Sequence, residues 1–247
     1  MSGDERAPQA AGLSVPPALV AGEIEVLGAL PNASNAALLV RCTGDDDTCL
    51  AVYKPMRGES PLWDFPDGTL HRREVAAFAL ARALGWPNVP ATVLRDGPYG
   101  PGSFQRFIEF DPEQHFFTLE HEHADTFRRV ALFDIVANNA DRKGGHCLVD
   151  DDGVVWLIDH GVCFAAEPKL RTVIWAFVGE PTPTDAAMDL ARLHAELVSG
   201  GPVLAELSAL LAPDEVAALD ARVERLLAEQ HFPEPDPDTR PYPWPPI

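Results

Sequence analysis

Apolar and polar residues alternate in the first part of the chain and follow helical spacing in the later part. Alternation is typical of half-buried strands, and it occurs over 24–27, 36–42, 49–54, 89–94 and 103–110. The first helical pattern covers 71–84 and ends at Gly85-Trp86-Pro87. Strands with a single helix, followed by a mostly helical part, predict an α+β chain with a boundary near residue 110.

Helical patterns continue at 125–138, 185–199, 202–211 and 213–229, with glycine or proline at the breaks. Segment 115–123 is acidic and aromatic, which favours a loop. The predicted organisation is a flexible arm (1–17), a first lobe (18–110), a second, mostly helical lobe (111–231) and an extended proline-rich tail (232–247).

A predicted hairpin at 146–159 carries polar residues at its open end. Asp152-Gly153 is a strong signal for a two-residue turn between apolar strands. With that turn, the register brings His146 opposite Asp159, and Asp141 comes shortly before them in a glycine-containing loop. The hairpin is therefore either a site where a metal ligand and carboxylates converge or an acidic surface hairpin with solvated ends.

Composition excludes some classes of function. The net charge of −19 over 247 residues lacks the basic footprint of a nucleic-acid binder. The N-terminus lacks the features of a signal peptide, and no apolar run approaches the roughly 20 residues of a membrane span. The four cysteines have no CxxC spacing, which favours reduced thiols. We therefore expect a cytoplasmic protein without integral membrane association.

The chain also contains the parts of a phosphoryl-transfer site in a plausible order. Such a site needs a lysine for the phosphates, a carboxylate to hold that lysine, a carboxylate for the acceptor hydroxyl and metal ligands. The candidates are Lys54, Glu74, Asp141, His146 and Asp159. Glu74 lies in the first turn of its helix, so it either complements the helix dipole or points inward to Lys54.

Several short motifs together resemble the protein-kinase-like superfamily, in particular its phosphoinositide 3-/4-kinase-like and HipA-like branch. They also look like a group of uncharacterised actinobacterial proteins with this domain. The motifs are Tyr53-Lys54-Pro55, Arg73-Glu74-Val75-Ala76-Ala77-Phe78, Gly102-Ser103-Phe104-Gln105, Asp141-Arg142 followed by His146, and Ile158-Asp159-His160-Gly161. The resemblance covers roughly residues 24–178.

The resemblance implies a two-lobed kinase fold with a small antiparallel-sheet N-lobe, one helix in that lobe and a larger helical C-lobe. It implies ATP in the cleft, Lys54 on its phosphates, Glu74 paired with Lys54, and Asp141 as the catalytic carboxylate. Asp159 would be the main Mg²⁺ ligand, with His146 at the second metal position. The hinge beside adenine would comprise Arg106, Phe107, Ile108 and Glu109, and the phosphate-covering turn would comprise Asn32, Ser34 and Asn35.

Two positions depart from the family pattern. His146 stands where asparagine is usual, and imidazole suits softer ions than Mg²⁺. This leaves open Mn²⁺ use, a single metal ion, or His146 as a phosphate contact. His160 stands where phenylalanine is typical, and the phosphate turn lacks the usual glycines.

The predicted function is therefore an ATP-dependent phosphotransferase acting on an unknown hydroxyl acceptor: a protein, a small molecule or a phosphoinositide-like compound. Two alternatives remain open: a nucleotide-binding pseudokinase that serves as an interaction module, and an AMPylating nucleotidyltransferase. A zinc site among His115, His121, His123, His146 and His160 is the weaker interpretation, because no four-ligand spacing closes around them.

Overall fold

The computed structural model of the protein describes residues 14–31 and 35–247. The larger sheet contains β1 (Glu23–Ala29), β2 (Leu38–Thr43), β3 (Thr48–Pro55), β4 (Thr92–Gly97) and β5 (Gly100–Arg106), and a hairpin contains β6 (Cys147–Val149) and β7 (Val155–Leu157). In the larger sheet the strand order is β1-β2-β3-β5-β4, and all neighbouring strands are antiparallel.

Helices surround and follow this sheet. They are α1 (Pro17–Ala21), α2 (Leu70–Leu84), α3 (Phe116–Leu119), α4 (Ala124–Ala137), α5 (Thr184–Ser199), α6 (Pro202–Ser208) and α7 (Pro213–Glu229), with single 3₁₀ turns at Met56–Gly58 and Gly144–His146. The larger sheet with α1 and α2 forms one lobe, and α3–α7 with the β6–β7 hairpin form the other.

The inner face of the sheet is apolar and packs against α2. Val40, Tyr53 and Phe104 are fully buried, and the Tyr53 and Phe104 rings stack with centroids 4.2 Å apart. Burying one large apolar side chain contributes about 1.5–3 kcal/mol. The alternating pattern in the sequence thus records which side of each strand faces the core.

Helix α2, which carries Glu74, has defined ends, and these ends fix the orientation of the Glu74 side chain. The Glu59 carboxylate accepts the backbone N–H groups of Leu70 and His71 at 3.2 and 2.8 Å, so a residue from the preceding loop caps the helix. At the other end Gly85 adopts φ 84°, a left-handed conformation that glycine adopts without strain. The prediction of a helix over 71–84 differs from the observed helix by one residue.

The second lobe holds α2 from outside the sheet. The Trp86 indole Nε1 donates to Asp189 on α5 at 2.9 Å, and Arg192 on the same helix donates to the Ala83 carbonyl at 2.6 Å. Arg73 of α2 pairs with Glu215 of α7 at 2.5 Å. These contacts attach the helix of the first lobe firmly to the C-terminal helices.

Some predicted boundaries are wrong. The strand predicted at 103–110 ends at Arg106, and the strand predicted at 89–94 runs to Gly97. Only two residues connect these strands, because Gly97 pairs with Gly100. Gly100 has a φ of 99°, a value that needs glycine. A short helix, α3, replaces part of the loop predicted at 115–123, and α1 begins inside the predicted arm, of which 1–13 lie outside the described residues.

The predicted register of the β6–β7 hairpin is also wrong by one residue. Cys147 pairs with Leu157, and the loop spans Asp150 to Val154 instead of a two-residue turn. Asp150 causes the change, because its Oδ1 accepts the N–H groups of Asp152 and Val154 and thereby stabilises a longer loop. In the observed register the Ile158 N–H donates to the His146 carbonyl at 3.1 Å, and Asp159 lies just beyond the ladder.

Candidate active site

Lys54 lies near the end of β3 and joins carboxylates from both lobes. Its Nζ donates to Glu74 Oε1 at 2.5 Å and to Asp159 Oδ1 at 2.9 Å. Burial lowers the pKa of Lys54, but the charges of Asp159 and Glu74 outweigh burial and raise it overall. The side chain is therefore a fixed cation between two lobes.

Glu74 points inward from α2, so it does not serve the helix dipole from the surface. Its side chain is only 3% exposed, and each carboxylate oxygen has a separate partner. Oε1 accepts from Lys54, and Oε2 accepts the backbone N–H of His160 at 2.9 Å. Glu74 thus positions both the lysine and the backbone that follows Asp159.

Asp159 presents its carboxylate to the space between the lobes. Its φ is 61°, a left-handed value that is uncommon outside glycine, and its side chain is 50% exposed. The Lys54 ammonium holds the pKa of Asp159 well below its usual range. At neutral pH Asp159 is therefore an anion with room for a further partner.

Asp141 lies in the loop between α4 and the Gly144–His146 turn. Its N–H donates to the Asn139 side-chain oxygen at 3.0 Å, which fixes the loop locally. The Lys143 Nζ lies 3.3 Å from the Asp141 carboxylate. Burial raises the pKa of Asp141, and the charge of Lys143 opposes that rise. The pair gives the loop one carboxylate and one ammonium facing the same space.

His146 meets Asp159 as the sequence predicted, although through a different register. Its Nε2 lies 3.4 Å from Asp159 Oδ2, and its Nδ1 accepts the Lys143 backbone N–H at 3.4 Å. Burial lowers the pKa of His146 to about 4, so the ring is neutral at pH 7. A neutral ring that accepts at Nδ1 carries its proton on Nε2. In this arrangement Nε2, which lies 3.4 Å from Asp159 Oδ2, carries the ring proton and has no lone pair free for a metal ion.

A buried polar network lies directly behind these groups. Arg142 Nε donates to both oxygens of Asp134 at 3.1 Å, and Arg142 Nη1 donates to the Ile158 carbonyl at 3.0 Å. Its Nη2 also lies 2.7 Å from His160 Nε2. Burial lowers the pKa of Arg142, but the Asp134 carboxylate outweighs burial and raises it. The network joins the loop of Asp141 to the segment of Asp159.

His160, which stands where the kinase-like motif has phenylalanine, makes polar contacts in this chain. His160 is fully buried and makes an edge contact with Phe133, with ring centroids 5.7 Å apart. A phenylalanine could make the ring contact but could not accept the hydrogen bond from Arg142. Among the described residues, His160 Nδ1 has no hydrogen-bond partner. The departure is therefore coupled to the buried arginine beside it.

A cavity of about 450 Å³ opens between the lobes and contains these groups. Asn35, Lys54, Glu74, Asp141, Lys143, His146, Asp159 and Arg171 line it, together with apolar and polar residues of the loop between β3 and α2. The volume lies within the range of pockets for small molecules, roughly 300–1,000 Å³. All five predicted phosphoryl-transfer residues therefore border a single cavity.

The predicted nucleotide contacts are only partly found at this cavity. Asn35 lines it and accepts the Ser60 N–H at 2.7 Å, whereas Asn32 and Ser34 lie outside the described residues. Arg106 is the last residue of β5 and the other predicted hinge residues follow it, and among the described residues that line this cavity none comes from 106–109. Ile108 instead packs with Leu148 and Trp156 of the hairpin. Their proposed contact with adenine stays a prediction.

Two of the candidate metal ligands, Asp141 and Asp159, suit a divalent ion. Asp141 and Asp159 supply carboxylate oxygens, which Mg²⁺ prefers. His146 does not fit as a ligand in its present tautomer and would have to exchange its hydrogen bonds first. Among the described residues no group of three or more histidine, cysteine or acidic side chains is arranged to hold a metal ion.

Two cationic residues of the site were not among those predicted. Lys143 could have been found, because it stands two positions after Asp141 in the same loop. Arg171 is thirty positions away in sequence, and it reaches the cavity only because its backbone N–H donates to the Asn139 carbonyl. No local sequence pattern predicts such a contact.

The described part of the chain has no helix of the length and hydrophobicity needed to cross a membrane.

Comparison with known proteins places the chain among kinase-like structures. No family model matches it. Protein Rv2133c of Mycobacterium tuberculosis (strain ATCC 25618 / H37Rv) is 38% identical over 262 residues, which cover 92% of this chain and 93% of that protein. The crystal structure of the Helicobacter pylori proinflammatory kinase CtkA matches with a TM-score of 0.51 and 11% identity, over 85% of this chain and 93% of that chain. The predicted two-lobed, kinase-like α+β fold is confirmed.

Proposed function

The chain belongs to the family of the mycobacterial protein Rv2133c, and we propose that it is an ATP-dependent phosphotransferase acting on a hydroxyl acceptor. One observation carries the proposal. A single lysine, Lys54, joins the inward carboxylate of α2 to the half-exposed carboxylate of Asp159, and Asp141 borders the same cavity. A kinase-like fold with these groups in one cleft has the parts that phosphoryl transfer requires.

The roles follow from charge and access. Lys54, as a fixed cation, would contact the nucleotide phosphates, and Glu74 would keep it in place. Asp141 would orient the acceptor hydroxyl, and Lys143 beside it would stabilise negative charge on the transferred group. Asp159 would hold the divalent ion, with His146 orienting that carboxylate through Nε2. Mg²⁺ or Mn²⁺, when bound, supplies charge neutralisation on the phosphates.

We also propose that the chain belongs to the phosphoinositide 3-/4-kinase-like, HipA-like branch of the fold. The loop begins with Asp141-Arg142, in which the aspartate precedes the arginine. Arg142 then turns into the protein and pairs with Asp134, which leaves Asp141 facing the cavity. The fold comparison alone does not separate the branches.

The proposal is tested by incubating the full chain with γ-labelled ATP, Mg²⁺ or Mn²⁺, and a bacterial small-molecule and protein extract. We expect label in an acceptor, and loss of that label in Asp141→Asn and Asp159→Asn. Asp152→Asn is the matched control, because Asp152 is exposed on the hairpin loop away from the cavity. Transfer that persists unchanged in Asp141→Asn would refute the assigned chemistry.

A second function, nucleotidyl transfer, is favoured by the position of the predicted hinge. Segment 106–109 is not among the described residues that line the cavity, so the predicted hinge gives the nucleotide base no defined binding position in it. A nucleotide bound in the reverse orientation would present its α-phosphate to the acceptor instead. α-Labelled ATP distinguishes the two reactions, since only nucleotidyl transfer leaves that label on the acceptor.

A further inference from the structure

We propose that Arg171 recognises an anionic group on the acceptor, so that the acceptor is a small hydroxyl compound bearing a phosphate or a carboxylate. This inference rests on the proposed phosphotransferase function and adds a substrate class to it. It is carried by the pairing of charges in the cavity, by the rigid position of Arg171 and by the closure of the cavity on one side.

Every acidic side chain that lines the cavity already has a basic partner. The pairs are Glu59 with His71, Asp64 with Lys169, Glu74 with Lys54, Asp141 with Lys143, and Asp159 with Lys54 and His146. Among the described residues, the guanidinium of Arg171 has neither an ion-pair nor a hydrogen-bond partner. An arginine without an ion-pair partner in a cleft is unusual in a chain whose net charge is −19.

Backbone contacts hold Arg171 rigidly against the loop of Asp141. Its N–H donates to the Asn139 carbonyl at 2.8 Å, and its carbonyl accepts the Arg142 N–H at 2.9 Å. The following residue, Thr172, forms a bridge with Arg142. Arg171 is therefore anchored on both sides of its own peptide to the residues that flank Asp141, and an acceptor bound by it would lie beside that carboxylate.

The charge of Arg171 acts on Asp141 without forming an ion pair. It is one of the cations that oppose the burial-driven rise in the pKa of that carboxylate, yet no contact within ion-pair distance joins the two side chains. A planar guanidinium left free in this way matches phosphate and carboxylate groups, which it binds through two parallel hydrogen bonds. An anionic group on the acceptor would complete the pairing.

A strap formed by residues 59–67 closes one side of the cavity. Its Asp64 pairs with Lys169 of the second lobe at 3.1 Å, with both side chains about nine-tenths buried. The Lys169 ammonium also lies 5.2 Å from the centroid of the Trp63 ring and 5.8 Å from that of Phe65. The strap therefore bridges the lobes at the cavity that Arg171 lines, and closure on this side favours a small acceptor over a protein segment.

The test is calorimetric binding of matched compounds to the full chain, with and without the non-hydrolysable analogue AMP-PNP and Mg²⁺. Glycerol, glycerol 3-phosphate and glycerate share one skeleton, and glucose with glucose 6-phosphate and ribose with ribose 5-phosphate extend the series. We expect the anionic members to bind. Comparing glycerol 3-phosphate with glycerate then shows whether the site takes a phosphate or a carboxylate. The uncharged members should show no measurable heat.

Substitution then assigns the contact. Arg171→Ala should weaken binding of the anionic compound by about tenfold to a hundredfold, as expected for a lost charge-assisted hydrogen bond, and Arg171→Lys should recover part of it. Arg225→Ala, which removes an exposed arginine on α7, is the matched control and should change nothing. The dissociation constant for AMP-PNP should be the same in all variants, and thermal melting checks that each variant is folded.

Four outcomes would overturn the inference: equal binding of charged and uncharged members, no binding of any anionic member, a loss in Arg171→Ala that falls on AMP-PNP instead, or phosphorylation of protein acceptors by the wild type that Arg171→Ala leaves unchanged. Failure of the proposed function gives a different signature. There, AMP-PNP does not bind and Asp141→Asn changes nothing, while anion binding at Arg171 is still measured in the samples without nucleotide.

Discussion

Breaking the buried ion pair between Arg73 and Glu215 should destabilise the protein more than breaking any exposed pair on the same helix. The Arg73 side chain is 2% exposed and that of Glu215 is 10% exposed. Arg73 Nη1 also donates to the Cys163 carbonyl at 2.6 Å, and the guanidinium lies 4.9 Å from the centroid of the Phe65 ring. Replacing Arg73 by methionine would leave a carboxylate and a carbonyl buried without their donor.

Removing one partner of such a pair costs about 3–5 kcal/mol, which is a large part of the roughly 5–15 kcal/mol of a typical domain. Arg82→Met provides the matched comparison. Arg82 lies on the same helix and also pairs with a glutamate, Glu206, but the two side chains are 46% and 39% exposed. For that exposed pair we expect a loss of only about 0–1 kcal/mol.

The measurement is urea unfolding, followed in parallel by tryptophan fluorescence and circular dichroism so that any separate unfolding of the lobes is detected. The double variant Arg73→Met/Glu215→Met should recover part of the loss, because an apolar pair leaves no buried charge. Recovery should be incomplete, since Glu215 also accepts the Ala212 N–H at the start of α7. Equal losses for Arg73→Met and Arg82→Met would refute the reasoning.

Three further outcomes are expected. Glu74→Gln should reduce ATP turnover, since it removes the charge that holds Lys54 (2.5 Å); turnover equal to wild type would contradict that role. His146→Asn should raise activity with Mg²⁺ relative to Mn²⁺, because an amide oxygen could bind Mg²⁺ beside Asp159, which the protonated Nε2 of His146 cannot do; an unchanged metal ratio in steady-state assays would count against it. Iodoacetamide at pH 8 should not label native Cys147, since burial raises its pKa to about 12, whereas urea-unfolded chain should react; fast native labelling would contradict its burial.

The sequence predicted that His146 and Asp159 come together, but it did not predict the form of the hairpin that brings them there. The expectation that His146 faces Asp159 relied on a two-residue turn, and Asp150 stabilises a longer loop instead. The two side chains still meet at 3.4 Å, because the chain after Ile158 turns at Asp159 with φ 61°. Turn residues constrain register only locally, and a side chain that accepts two backbone N–H groups overrides them.

Contacts between distant segments could not be predicted from spacing. The order of the residues left open whether Glu74 pairs with Lys54 or complements the helix dipole, and the expectation that they pair came from the resemblance to the kinase-like superfamily. The Arg142–Asp134 pair was not expected, although the two residues are only eight positions apart. A sequence that forms such a buried pair looks the same as any amphipathic helix followed by a loop. Arg171 reaches the site only through the fold of the segment that carries it.

His160 departs from the kinase-like motif that the sequence resembles, and its buried contacts give this departure a physical reason. In this chain the imidazole accepts from Arg142, and its backbone N–H is fixed by Glu74. The same residue therefore contacts the element that orients Asp141 and the one that holds Lys54. A phenylalanine would leave a buried arginine donor unpaired, at a cost of about 1–3 kcal/mol. The substitution is thus explained by the buried Arg142, and it preserves the link between the two halves of the site.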